Sequence, residues 1–201
     1  MIPVHSADWT DADVQAYRVF CAAVGIADLS VPLTVWSNES GNSAAAHNPN
    51  GDASGLFQLM PATARQLGYN VTVDPHLAAF RALSIASQLS WATRYYSAHK
   101  GHIGTVGQFY CATFLPILTD HADHPDYLLC GAQGQGPLLI PDSKAAYSQN
   151  KGFDVHGRGS IIVQDLIDAA YRASNAKTAE LIDRARALAT ETPGPASPPT
   201  S

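Results

Sequence analysis

Glutamate is scarce in this chain. Of 17 acidic residues among 201, only three are Glu, and Glu39 is the only one before Glu180. Aspartates therefore do the solvating, and a surplus of surface Glu does not account for Glu39. Charge is thin overall, with 14% of residues Asp, Glu, Lys or Arg and a formal net charge of −5. That balance argues against nucleic acid and against an anionic membrane surface, since both need basic patches, and it suits a neutral polymer better. No run of about 18 apolar residues is present to span a bilayer. The start, "MIPVHSADWTDADV", lacks the basic and apolar stretches of a secretory signal, so the chain as given reads as soluble. Cysteine is also sparse. Cys21, Cys111 and Cys130 show no C-x-x-C or other metal spacing, and an odd count leaves at least one thiol free in a monomer. Cys21 and Cys111 read as small buried hydrophobes, and Cys130, beside Gly131, stays open.

What is present is enough apolar material, 46% of the chain, to bury one core, so a single compact domain with a tail is expected. Val14, Tyr17, Phe20, Cys21 and Val24 fall at helical spacing before Gly25, which predicts a helix over 11–24 capped by Thr10 or Asp11. Ser30, read as an N-cap with Pro32 behind it, starts a second helix that runs out at Gly41. Pro61 opens a short helix to Leu67. Asp74-Pro75 opens one long helix to about His99, and a further helix spans 105–115 and stops at Pro116. Periodicity fails over 116–141, where an irregular excursion with a short strand or hairpin is expected. Helices are expected again over 142–150 and 163–189, the latter broken near Ser174-Asn175. "ETPGPASPPTS" then reads as a disordered Pro/Ser/Thr tail. The class is mainly α.

Glu39 falls in the last turn of the second helix. A helix C-terminus carries partial negative charge, and Val35 and Trp36 share the face of Glu39, so both influences push its pKa upward. Cleaving a glycosidic bond requires a carboxylic acid that stays protonated near neutral pH in apolar surroundings. The residues that follow sharpen this. Glu39-Ser40 precedes, by sixteen residues, Gly55-Leu56-Phe57-Gln58-Leu59-Met60-Pro61, with Thr63-Ala64 beyond. This arrangement resembles the lytic transglycosylases with a soluble-lytic-transglycosylase (SLT), lysozyme-like catalytic domain. Phe57 stands where that family more often has Met.

The resemblance implies a lysozyme-like α+β-superfamily domain over residues 1–190 with the tail at 191–201. It implies Glu39 as catalytic acid and base, Ser40 as support for its helix, and Phe57, Gln58 and Met60 beside the scissile bond. Asn48 falls where the family offers a polar contact to the sugar, in a loop one residue longer here. Tyr110, in "FYCATFLP", matches the tyrosine of the family's Ala-Tyr-Asn-x-Gly motif, although Cys111 replaces the Asn and no Gly follows. Tyr147, in "AAYSQN", resembles a late groove tyrosine of phage-type relatives. The implied substrate is the glycan strand of peptidoglycan, cut between N-acetylmuramic acid and N-acetylglucosamine with closure of a 1,6-anhydro ring. No cofactor, metal or nucleic acid is expected, nor membrane insertion, and a monomer is.

A cell-wall substrate without a secretory signal fits a phage endolysin or virion-borne module, or a bacterial enzyme whose signal is missing from this chain. Two other readings compete. A goose-type lysozyme would have an Asp where Met60 stands, with Asp52 able to reach the site from its loop, although Asn-Gly-Asp reads first as turn chemistry. A non-catalytic wall-binding or virion structural module is the other. One motif stands apart: Asp154 to Asp165 spans twelve residues like an EF-hand loop, with Gly159 sixth and Ile161 eighth, but His156 and Arg158 occupy liganding positions. Arginine brings a cation where calcium would sit, so a metal-free turn is expected. His99, His102, His121 and His124 read as surface histidines.

Overall fold

The computed structural model describes residues 9–49 and 51–190; the segment 191–201, with its expected tail, lies outside the described residues. Helix α1 (Asp11–Val24) begins with a reciprocal cap. Asp13 N–H donates to Thr10 Oγ1 at 3.2 Å and Thr10 N–H to Asp13 Oδ2 at 3.0 Å. It ends at Gly25, whose φ of 79° is left-handed. The five residues picked out by spacing are the ones α1 buries.

Helix α2 (Ser30–Ser40) runs through the middle of the molecule: Val31 to Ser37 are all buried. It packs against α6 (Val106–Phe114), α8 (Val163–Ala173) and α9 (Ala176–Thr190). Trp36 is its core anchor, with its ring 5.3 Å from Phe20, 6.1 Å from Tyr17 and 5.7 Å from Phe109. Such aromatic pairs add roughly 0.5–1.5 kcal/mol each beyond burial. The start of α2 corrects the expected cap. Ser30 is the first helical residue, and the Asp28 carboxylate accepts from its N–H at 2.9 Å and its hydroxyl at 2.7 Å. The carboxylate, a charged acceptor, takes the role assigned to the serine.

The long helix expected over 74–99 is two helices, α4 (Ala78–Arg81) and α5 (Ile85–Tyr96), with a turn at Ser97–His99. The Asp74 carboxylate gathers the N–H groups of Ala78 and Phe80, at 2.7 and 3.1 Å, and so winds a tight local turn. Ser84 then starts α5 as a separate cap, accepting from Ser87 N–H. Side-chain acceptors compete here with a continuous ladder. Short α3 (Pro61–Gln66) precedes them.

Beyond α6, which Thr105 and Gln108 cap reciprocally, the excursion holds a 3-10 turn at Pro116–His121 and strand β1 (Leu128–Gly131). The strand is not part of a local hairpin. It pairs antiparallel with β2 (Ser160–Ile162), after α7 (Ser143–Asn150) and a turn at Lys151–Phe153. Helices α8 and α9 meet where the break near Ser174-Asn175 was predicted. The architecture is mainly α around one core, and Cys21, Cys111 and Cys130 are free and buried in it.

Candidate active site

Glu39 stands half-buried in the last turn of α2, just before Gly41 turns the chain with φ 62°. Ser40 ties this helix end to the strip 55–61: its hydroxyl donates to Leu56 O at 2.6 Å and to Trp36 O at 3.1 Å. The strip is pinned from behind by Gln88, which sequence reasoning missed. Gln88 is fully buried; its Oε1 accepts from Leu56 N–H at 2.8 Å, and its Nε2 donates to Ala44 O and Phe80 O at 2.9 and 3.0 Å. A signal existed, because Gln88 lies on the same face of α5 as Ile85, Leu89 and Ala92, where an amide must find partners inside. Gly55 fits beside it because it lacks a side chain: a Cβ would stand 2.5 Å from Gln88 Oε1 and 2.7 Å from Phe80 Cε1, at a φ of 77°.

Burial raises the pKa of Glu39, and a hydrogen bond with Tyr110 opposes that rise without cancelling it. Tyr110 is buried in α6, and its hydroxyl also accepts from Asn38 Nδ2. Its own pKa is pushed far up by burial and by the Glu39 charge, so the phenol stays protonated and donates to the carboxylate. Phe153 closes this cluster from the far side, its ring 5.6 Å from both Tyr110 and Phe114.

Glu39 opens into a groove of about 930 Å³. Asn48, Gln58 and Met60 line it with Glu39, as do His47, Thr113 and Phe114. Met60 is 46% exposed. Gln58 adopts φ 50° and its Nε2 donates to Gly55 O at 3.0 Å. A non-glycine residue in that region costs on the order of 1 kcal/mol, and the amide, expected beside the scissile bond, spends one donor steadying its own turn. Among the described residues Glu39 is the only carboxylate lining the groove.

Two predicted groove residues are placed elsewhere. Phe57 is 2% exposed, with its ring packed in the core against Phe80, Tyr95 and Tyr96. Tyr147 is half-buried and its hydroxyl donates to Asp154 Oδ2 at 2.9 Å, so it secures a loop rather than lining the groove. Asp52, the carboxylate a goose-type lysozyme reading would recruit, is also outside the lining and lies 3.1 Å from His76 Nδ1.

The EF-hand-like loop is closed by its arginine. Arg158 Nη2 donates to both Asp165 oxygens, at 2.5 and 2.6 Å, and Asp165 is buried. Asp165 also accepts from Ile162 N–H, starting α8. Asp154 accepts from Arg158 N–H at 2.9 Å and Gly159 N–H at 2.7 Å. Burial alone would raise the pKa of Asp154, but these bonds and the one from Tyr147 hold it below the usual range. The loop's first and last carboxylates are thus satisfied by arginine and backbone, and Phe153, the residue before it, is held against the groove. Among the described residues no group of three or more His, Cys, Asp or Glu is arranged to hold a metal. Of the four histidines, His102 and His124 lie beside Asp120 and Asp123, and His121 stacks on Tyr127.

Comparison with known proteins adds one finding. No curated protein and no solved structure matches the chain. Residues 27–104 match the family model described as the transglycosylase SLT domain. That segment carries Glu39, Ser40 and the strip 55–61 but ends before Tyr110 and Phe153. Over the segment that bears Glu39, the chain is similar to the transglycosylase SLT domain.

Proposed function

We propose that this protein is a peptidoglycan lytic transglycosylase in which Glu39 supplies both proton transfers. The observation that carries the reading is a lone carboxyl of raised pKa, hydrogen-bonded to Tyr110, on the floor of an open groove within a segment matching the transglycosylase SLT domain. Protonated Glu39 gives its proton to the oxygen joining N-acetylmuramic acid to N-acetylglucosamine. The muramyl N-acetyl carbonyl stabilises the oxocarbenium-like centre as that bond breaks. Glu39, now ionised and steadied by the Tyr110 hydroxyl, takes the proton of the muramyl 6-hydroxyl, whose oxygen closes on the anomeric carbon. The sum is one C–O bond broken and one formed, with no water consumed. Hydrolytic glycosidases usually pair a second carboxylate with the acid, as nucleophile or to activate water, and Asp52, engaged with His76, does not line the groove.

The catalytic unit extends past the matched segment, because Phe114 and Phe153 line the groove and Tyr110 holds Glu39 from behind. Gln58, Met60 and Asn48 contact the sugars, and Ser40 acts by fixing the helix end. The protein works as a monomer at the bacterial cell wall, with a phage-borne origin as the finer expectation.

Mass spectrometry of the products from purified peptidoglycan tests this. Muropeptides ending in 1,6-anhydro-N-acetylmuramic acid, lost in Glu39→Gln and retained in Asp52→Asn, are expected. Products carrying the added water, with Asp52→Asn as damaging as Glu39→Gln, would establish a lysozyme. Wall binding without any saccharide release would establish the binding module.

A further inference from the structure

The groove continues past Asn38 into a second depression of about 510 Å³, within the ~300–1,000 Å³ range of small-ligand sites. Asn38, Gln149, Asn150 and Phe153 line both, so the two form one continuous surface. The far wall comes from α8, through Ala169, Arg172 and Ala173. Arg172 is the one Lys or Arg among the residues lining either depression. It is exposed and, among the described residues, forms no ion pair. Asp168, one turn earlier on α8, accepts instead from Gln164 Nε2 at 2.7 Å. Arg172 sits in the last turn of α8, where the helix dipole favours a cation. Nearby, Asn150 lines the depression while its Nδ2 donates to Ala146 O at 2.9 Å.

We propose that this depression holds the peptide attached to the muramyl residue, with Arg172 binding a carboxylate of that peptide. The proposal rests on the reading of Glu39 as the cleaving residue and adds what the groove selects: glycan strands that still bear their peptides. Charge complementarity carries it. A guanidinium presents paired donors matched to a carboxylate, and the uncharged amides of Gln149 and Asn150 suit peptide N–H and C=O groups. The sugar chain itself, running over Gln58 and Met60, has no need of a cation some way along the groove.

The test compares two polymers: peptidoglycan with peptides intact, and glycan strands stripped of peptide by an amidase. Wild type should show a KM about tenfold lower on intact strands, the size expected of one charge-assisted hydrogen bond. Arg172→Gln should raise KM on intact strands to the stripped value, leaving kcat and stripped-strand turnover unchanged, and Arg172→Lys should restore part of the difference. Converting the peptide carboxylates of intact strands to amides should reproduce the Arg172→Gln result with unaltered protein. Loss on stripped strands alone, which carry the lactyl carboxylate that the amidase frees, would assign Arg172 to that group and overturn the proposal, and so would an equal effect, or none, on both polymers. None of those results touches the role of Glu39. Failure of wild type to cleave either polymer would overturn the function itself and this proposal with it.

Discussion

Replacing Tyr110 with Phe removes one oxygen from the buried contact on which Glu39 depends. The phenyl ring stays, so packing against Phe153 is kept and no large cavity is opened. Two hydrogen bonds are lost, the one to Glu39 and the one accepted from Asn38 Nδ2. Asn38 is exposed and regains water, so the stability cost is that of the bond to Glu39, roughly 1.5–3 kcal/mol where the carboxyl is ionised, or about 3–12 °C in Tm for a chain of this size. The effect on chemistry is larger. The hydroxyl donates to ionised Glu39, so losing it disfavours the anion and raises the Glu39 pKa further. As general acid, Glu39 must be protonated, and the alkaline limb of the kcat/KM profile follows its ionisation. In Tyr110→Phe that limb should move to higher pH. The rate at the optimum should fall about tenfold or more, as one hydrogen bond to a charged group is worth roughly 1.5–3 kcal/mol. Release of anhydro-muropeptides measured from pH 4 to 9 reads both. An unmoved limb, or one displaced to lower pH, would refute the coupling of Tyr110 to Glu39.

Glu39→Gln should cut release by about 10²- to 10⁴-fold and also stabilise the fold at neutral pH. Because burial raises the Glu39 pKa in the folded state, its contribution is fully present below the ordinary carboxylate range and is lost as pH rises through the raised value. The Tm advantage of the variant should therefore grow from pH 4 to pH 7, and a shrinking advantage would contradict a desolvated carboxyl. Arg158→Met should lower the urea midpoint by leaving buried Asp165 without its cation; a midpoint equal to wild type would show that the pair adds nothing. Excess chelator should leave the wild-type Tm unchanged, and a drop of several degrees would show a bound cation in the Asp154 loop. Gly55→Ala should prevent folding or lower Tm by more than 10 °C, roughly the effect of 3 kcal/mol or more, because its methyl would meet Gln88 Oε1 and Phe80; a circular-dichroism melt matching wild type would show that the strip can shift.

The residue pattern alone determined the helices that carry apolar stripes and caps. Thr10 to Gly25, Thr105 to Pro116 and the break near Ser174 were all legible, because a helix start, stop and buried face are local properties. It also singled out Glu39 and the direction of its pKa, since a helix terminus and the neighbours three and four residues back are fixed once the helix is. Tertiary structure decided the rest. Whether Phe57 or Gln58 faces the groove depends on a φ of 50° at Gln58 and on Gln88 arriving from thirty-odd residues away, which no local period encodes. Asp74 and Ser84 split one apparent helix in two, as side-chain acceptors took the N–H groups a continuous helix would have used. Tyr147 turned from the groove because Asp154, seven residues on, needed a donor. Bringing Phe153 and Arg172 to one groove, with Tyr110 bonded to Glu39, required α6 and α8 to pack on α2 and the turn at Lys151–Phe153 to pack on α8, and long-range packing, not propensity, brings such residues together.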